Sequence, residues 1–496
     1  MKTNFLTLSL LVLNSAHALL PAPSYIKSDI LETSRGVNKF LQAEALDYSV
    51  CLNEMKETFN FLRTADKSFF KTNYTADQNK EILLNLWDIK KGIRKHSNNW
   101  IKSNQMGPEC VSQIKASLRA TRYIEDSIGL LYNNQINEEK TTGLKKEDHT
   151  PLFSKGLPWT VSDGKFDYKK DLRTGDILMW RGNSAVSASI ARLGDNENNF
   201  SHLSILYIHP ETGKRYNIEA LIETGLIARE FDKVVVKKGA SKVVVYRHAN
   251  QELAQKAAKF AYDKAMERTD DHFIGYDFKF DLDDHSTLFC SELVSWSYDE
   301  ASNGTIKVPT FNTTIDLENR SYVDAIGMIG DIAFQPGDIE LEADLEMIAE
   351  WRNYHQVRTN QLMDNILSNM YNWMESKNYH FNFNLHGSII GSGVYLFRKV
   401  PVLGERLLGG KIPDNMPAST LRSIMTLDKT SSYIFENVYE TLYGESKAKI
   451  YSFQEVENTI EKLRKKDLDN YKKSLGRLRF LYKNSVIFHH MFSPKK

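Results

Sequence analysis

The spacing of apolar residues changes twice along this chain, and that change limits its architecture more than any other feature. In the first quarter they recur at helical spacing. Leu41, Ala45, Val50, Leu52, Met55, Phe59 and Leu62 form one stripe, and Ile82, Leu83, Leu86, Trp87 and Ile93 form a second. This predicts helices over 41–62, 77–100 and 111–132, with Gly107-Pro108 as the break before the third. Asn133 to Asp167 is polar and reads as a linker. The texture then turns to short runs. Asp176–Trp180, His202–Ile208, Arg215–Ala220 and Lys242–Arg247 read as strands, the middle pair joined by a turn at Pro210–Gly213. Ser184–Leu193, Gln251–Glu267 and Thr287–Tyr298 read as helices, the last capped by Ser286. Helical texture returns at 341–377 and 453–482. The pattern predicts an α+β domain over 151–335, between helical regions at 19–150 and 336–496.

Charge and cysteine usage narrow the setting. Lys and Arg number 64 and Asp and Glu 63, a net charge of +1. That balance excludes a strongly basic nucleic-acid binder and an acidic disordered chain. Lys2, the apolar run Phe5–Leu13 and Ala16-His17-Ala18 have the three parts of a secretory signal peptide over 1–18. The run is too short to span a bilayer, which takes about 20 apolar residues, and no later run reaches that length. A chain exported to the periplasm or the extracellular space is therefore expected, without a spanning segment after cleavage. Disulfides persist in such compartments. Of the three cysteines, Cys51 and Cys110 share the N-terminal helical region and are expected to pair, which leaves Cys290 as the odd thiol.

Cys290 is also where chemistry is best supported. It falls in the first turn of a predicted helix, where the helix dipole favours a thiolate and backbone N–H groups are free to face an oxyanion. A buried structural cysteine fits the same position. A nucleophilic thiol needs a base, and His202 opens a predicted strand. A turn at Pro210–Gly213 sets Ser204 opposite Glu219 and His202 opposite Leu221, so Glu219 and Glu223 are both diagonal neighbours of His202 on one face. Either carboxylate is within reach to orient the imidazole, and register alone does not choose between them. Other clusters say less. Asp281, Asp283, Asp284 and His285 lack the spacing of an EF-hand and read as a solvated acidic loop. Gly387–Gly393 has neither the lysine of a phosphate loop nor a nucleophile elbow. Gly387–Leu408 is a candidate for peripheral membrane contact or for lining a lipid groove, and Lys462–Arg479 for a solvated helix face.

Five short motifs occur in a fixed order: Gly175–Leu178, Phe200–Ser204, Ile218–Ala220, Tyr276–Phe278 and Leu288–Val294. This order resembles the circularly permuted papain-like amidases, the YiiX/YebB-like branch of the NlpC-type cysteine hydrolases, in which the histidine strand precedes the cysteine helix. The resemblance covers roughly 171–300. It implies a permuted papain-like domain with an antiparallel sheet, with Cys290 as nucleophile, His202 as base and Glu219, not Glu223, as the orienting carboxylate. It further implies Tyr276 as an oxyanion donor, an acyl-enzyme pathway, and no metal or organic cofactor. The expected substrate is a cell-envelope amide such as a peptidoglycan stem. A lipid acyl hydrolase or acyltransferase on esters or thioesters, and a vestigial envelope scaffold, are the alternatives.

Overall fold

The computed structural model describes residues 23–141, 160–382 and 415–495, apart from 66, 72, 165, 195–197, 237–239, 270–271, 316–319, 445–448 and 475–487. The expected signal peptide and the Gly387–Leu408 stretch lie outside the described residues.

The centre is a seven-stranded sheet in the order β1-β11-β6-β2-β3-β4-β5. Its strands are β1 (Thr160–Ser162), β2 (Ile177–Arg181), β3 (His202–Ile208), β4 (Arg215–Leu221), β5 (Gly225–Glu230), β6 (Lys242–His248) and β11 (Leu345–Arg352), and every neighbouring pair is antiparallel. The β3–β4 hairpin has the expected register, with Ile205 opposite Ile218 and Tyr207 opposite Tyr216. Two helices, α6 (Gln251–Met266) and α7 (Cys290–Ala301), pack together against β3 through Leu253, Ala257, Leu293 and Val294. The opposite face is closed by Phe166, Tyr168, Leu172 and Phe231 over Leu178, Leu206, Val243 and Trp351.

Four helices form the N-terminal layer: α1 (Ile30–Leu41), α2 (Lys56–Thr64), α3 (Ala76–Lys102) and α4 (Pro108–Thr141). The stripe read as one helix over 41–62 is broken. α1 ends at Leu41, and a π-turn at Cys51–Met55 leads into α2. α4 continues to Thr141, into the polar stretch read as linker. Cys51 and Cys110 form a disulfide that fastens the π-turn to the first turn of α4, and Cys290 remains a buried free thiol.

The largest departure lies after residue 340. Leu345–Arg352 was read as part of a helix; it is the strand β11, beside β6. The sequence LEMIAEWR is rich in helix formers, and a bulge between Met347 and Ala349 interrupts its two-residue period. The bulge puts Leu345, Met347, Glu350 and Arg352 on the face that meets α3 and α4, and Ala349 and Trp351 on the other. The central sheet thus draws a strand from beyond the expected boundary at 335. The remaining chain forms α9 (Tyr354–Lys377), α10 (Ala418–Tyr443) and α11 (Phe453–Ser474), packed with α8 (Ser321–Ile326) around Leu367, Met370, Trp373, Ile434 and Ile460. Among the described residues no helix is long and apolar enough to cross a membrane.

A buried ionic seam joins the N-terminal layer to the sheet. Glu350 on β11 accepts from Lys90 of α3 (2.5 Å), from Arg122 of α4 (3.3 Å) and from Arg352 (2.6 Å). Arg352 also binds Glu125 (2.8 Å) and Asp126 (2.9 Å), Arg122 binds Glu340 (2.5 Å), and Lys242 of β6 binds Asp126. Arg94 donates to the carbonyls of Glu340, Glu342 (3.2 Å) and Leu345 (2.5 Å), which fixes the entry into β11. Such charges are held inside because each meets an opposite charge or, for Arg94, a set of backbone carbonyls.

Candidate active site

Three elements converge at one end of β3. His202 is its first residue, Glu219 lies on β4, and Cys290 is the first residue of α7. Residues 287–288, read as helix, instead form the short strand β8, parallel to β7 (Gly275–Tyr276), and Ser286 is not the cap. Phe289 takes the cap position, and its N–H donates to the Glu292 carboxylate (3.1 Å). A hydroxyl cap was therefore not needed, because a glutamate three residues on supplies the acceptor. The shift leaves Cys290 at the helix start, where its N–H has no intrahelical acceptor.

The imidazole is held from one side. His202 Nε2 donates to Glu219 Oε2 at 2.8 Å. Glu219 is 1% exposed, and its other oxygen accepts from Arg229 of β5 (Nε 2.7 Å). Cys290 and His202 lie close enough that each is the largest charged influence on the other's ionisation. The His202 side chain is 18% exposed and Cys290 is 5% exposed, so the pair is enclosed but reachable. Trp180 sets its ring edge against His202 (5.9 Å between centroids), while its N–H donates to Ser204 (2.8 Å).

The electrostatics favour a thiolate–imidazolium pair. Burial opposes ionisation of Cys290, but the His202 charge and hydrogen bond, the Leu203 N–H and the Ser291 hydroxyl hold its pKa below the ordinary thiol value. Burial also opposes the imidazolium; Cys290 and then Glu219 outweigh it and raise His202 to about 10. Glu219 stays below the usual carboxylate range, because His202 and Arg229 overcome its burial. Glu292 behaves differently. Burial, with Asp277, Asp281 and Asp284 nearby, pushes it up to about 9. At neutral pH it caps α7 as a neutral group and puts no negative charge beside the thiolate.

Tyr276 is buried and lines the same cleft as Cys290. Burial and the nearby Cys290 charge hold its phenol well above the ordinary value, so it keeps its proton. Its position depends on Gly225. At φ +67° this residue lets the backbone pass so close that an added Cβ would sit 2.1 Å from the Ile274 carbonyl. His202 bonds Glu219 and not Glu223, whose charge acts on Tyr276 instead. Around the acidic loop, Asp284 and Asp281 accept from backbone N–H groups of their own turns and His285 Nδ1 lies 3.0 Å from Glu292.

Arg229 was missed by sequence reasoning, because β5 was not foreseen. The signal was present: GLIARE follows the Glu223-Thr224 turn and pairs with β4, which brings Ile227 opposite Glu219. Next to the thiol lies an open cleft with a mainly apolar lining. Its far wall comes from residues that sequence patterns did not connect to the site, among them Met328, Phe334 and Ile424.

Residues 171–324 match the model of the permuted papain-like amidase enzyme family YaeF/YiiX, C92. The match contains all five motifs on which the resemblance was based. Comparison with curated proteins and with solved structures found no match.

Proposed function

We propose, from the premise that residues 171–324 belong to the permuted papain-like amidases, that the protein is an exported cysteine hydrolase acting on an amide bond of a cell-envelope molecule. The observation that carries this reading is the chain of contacts Cys290–His202–Glu219–Arg229, opening on a cleft. The Cys51–Cys110 disulfide supports an oxidising compartment.

In the proposed reaction the Cys290 thiolate attacks the carbonyl carbon. A C–S bond forms, and negative charge moves to the oxygen, stabilised by the Cys290 N–H and the Tyr276 hydroxyl. The C–N bond then breaks, and the amine leaves with the proton of His202. Neutral His202 takes a proton from water, the hydroxide adds to the thioester, and the C–S bond breaks to give the acid and the thiolate. Glu219 orients the ring and favours its charged form, and Arg229 keeps Glu219 ionised. No step draws on a metal or an organic cofactor.

A second reading, hydrolysis or transfer of a lipid acyl group from oxygen or sulfur, is favoured by the apolar lining of the cleft. The assembled contacts argue against a vestigial scaffold. Incubation with purified peptidoglycan and with phospholipid vesicles, read by mass spectrometry against a Cys290→Ala control, separates these readings. Cys290-dependent release of new amino termini supports the amide reading. Cys290-dependent release of fatty acid supports the second, and release of neither overturns both.

A further inference from the structure

Tyr276, the oxyanion donor of the proposed reaction, sits on a very short strand. β7 is Gly275 and Tyr276 alone, and its partner β8 is no longer. A strand of this length has little stiffness of its own, so its place depends on what flanks it. Backbone bonds hold the residues on either side. The Leu226 N–H of β5 donates to the Ile274 carbonyl (2.9 Å), and the Asp277 N–H donates to the Leu288 carbonyl (3.1 Å).

The carbonyl of Tyr276 itself is held by a side chain. Asn415 Nδ2 donates to it at 2.7 Å. The same amide lies so near Gly275 that an added Cβ would sit 3.0 Å from its nitrogen, and glycine leaves it room. Asn415 lies beyond the matched residues 171–324. It just precedes α10, whose start is fastened beside the site. Met416 is buried in the core that contains Tyr276, and Thr420 donates to the Ile326 carbonyl (2.7 Å). Asn415 is itself exposed and so adds little to the core; its contact with β7 is a polar one.

We propose that Asn415 is a positioning residue for Tyr276. Through the strand carbonyl it holds the phenol where an oxyanion forms, because a donor displaced by a fraction of an ångström stabilises that charge poorly. A residue of the C-terminal helical region thus completes a site whose nucleophile, base and oxyanion donor all lie in the family segment. This rests on the oxyanion role given to Tyr276 above.

The test uses the full-length protein and two reagents that both consume the Cys290 thiol. With p-nitrophenyl acetate a C–S bond forms, the ester C–O bond breaks, p-nitrophenolate leaves, and negative charge gathers on the carbonyl oxygen on the way. With iodoacetamide the C–S bond forms at a saturated carbon, iodide leaves, and no oxyanion arises. The ratio of the two rates therefore isolates the oxyanion donor. Tyr276→Phe is expected to slow acylation roughly 10²-fold and Asn415→Ala roughly tenfold, each with alkylation at the wild-type rate. In a Tyr276→Phe background, Asn415→Ala should slow acylation no further. Asn415→Asp keeps the shape and loses the donor; it should match Asn415→Ala, and serves in its place if that variant does not fold. Acylation at the wild-type rate in the Asn415 variants, with Tyr276→Phe slow, overturns the inference and keeps the oxyanion role of Tyr276. So does an Asn415 variant that slows both reagents, or whose effect adds to that of Tyr276→Phe, since the amide would then act on something other than the tyrosine. Acylation at the wild-type rate in Tyr276→Phe, or a wild type that is alkylated but never acylated, defeats the reading on which the inference rests.

Discussion

Two of the glutamates that are shut away from water in this protein have opposite uses. Glu350 is 0% exposed and lies among Lys90, Arg122 and Arg352. Glu219 is 1% exposed and lies between His202 and Arg229. Both are held ionised below the usual carboxylate range by cations that overcome burial. The difference lies in the partners. Those of Glu350 are one lysine and two arginines, and the seam they form is buried between helix and sheet. One partner of Glu219 titrates, is partly exposed and touches a thiol. A buried carboxylate among lysines and arginines fixes a helical layer to a sheet; the same group against an imidazole favours the charged imidazole beside a thiol.

The comparison can be broken at either end. The largest effect is expected for Cys290→Ala, which should lower turnover by roughly four orders of magnitude or more while the denaturant midpoint stays near that of wild type. A large loss of stability in this variant would mean that the thiol is a packing residue. Next is Glu350→Gln, which leaves Lys90, Arg122 and Arg352 with a buried excess of positive charge. It should cost about 3–5 kcal/mol in urea unfolding, with kcat of the folded fraction unchanged. Because the Glu350 pKa is depressed, its contribution is complete above the unfolded carboxylate value of about 4.3 and is lost as pH falls below it toward the folded value. Wild type should therefore lose stability in acid more steeply than Glu350→Gln, as measured by thermal melts across the acid range.

Glu219→Gln sharpens the other side. Losing the orienting carboxylate should lower kcat/KM by roughly 10²–10⁴ with a smaller change in stability than at Glu350. The wild-type pH profile should rise as the Cys290 thiol ionises, below its ordinary value, and fall as His202 loses its proton near pH 10. Glu219 is one of the groups that raise His202, so in Glu219→Gln the alkaline limb should move to lower pH. An unmoved limb would show that the carboxylate does not tune the base. The smallest effect is expected at the surface pair Lys102–Asp344, 3.5 Å apart with both side chains exposed. Lys102→Ala should change stability by no more than about 0.5 kcal/mol in the same urea assay.

The site was easier to foresee in the sequence than the seam, for a physical reason. The contact between His202 and Glu219 is local: one short turn fixes the β3–β4 register, and the period of two does the rest. Cys290 was visible because a helix start needs few residues to declare itself. Register did not choose Glu219 over Glu223, and the choice came from the resemblance. The seam joins Lys90 to Glu350 and Arg122 to Glu340 across more than two hundred residues. No local pattern encodes such pairs, and in a single sequence each looks like an ordinary charged helix residue. The strand β11 was hidden for a related reason, because one bulge removes the alternation that identifies a strand. Arg229 and the far wall of the cleft also depend on elements brought together only by the fold.

The central claim is that His202, held by Glu219, lowers the pKa of the Cys290 thiol. The rate of Cys290 alkylation by iodoacetamide, followed by mass spectrometry across pH in wild type and in His202→Ala, tests it most directly. The account predicts that wild type reacts with a pKa below the free-thiol value of about 8.5, and that His202→Ala shifts the curve to higher pH, because burial then acts without the imidazolium. Superimposable curves for the two proteins would contradict it.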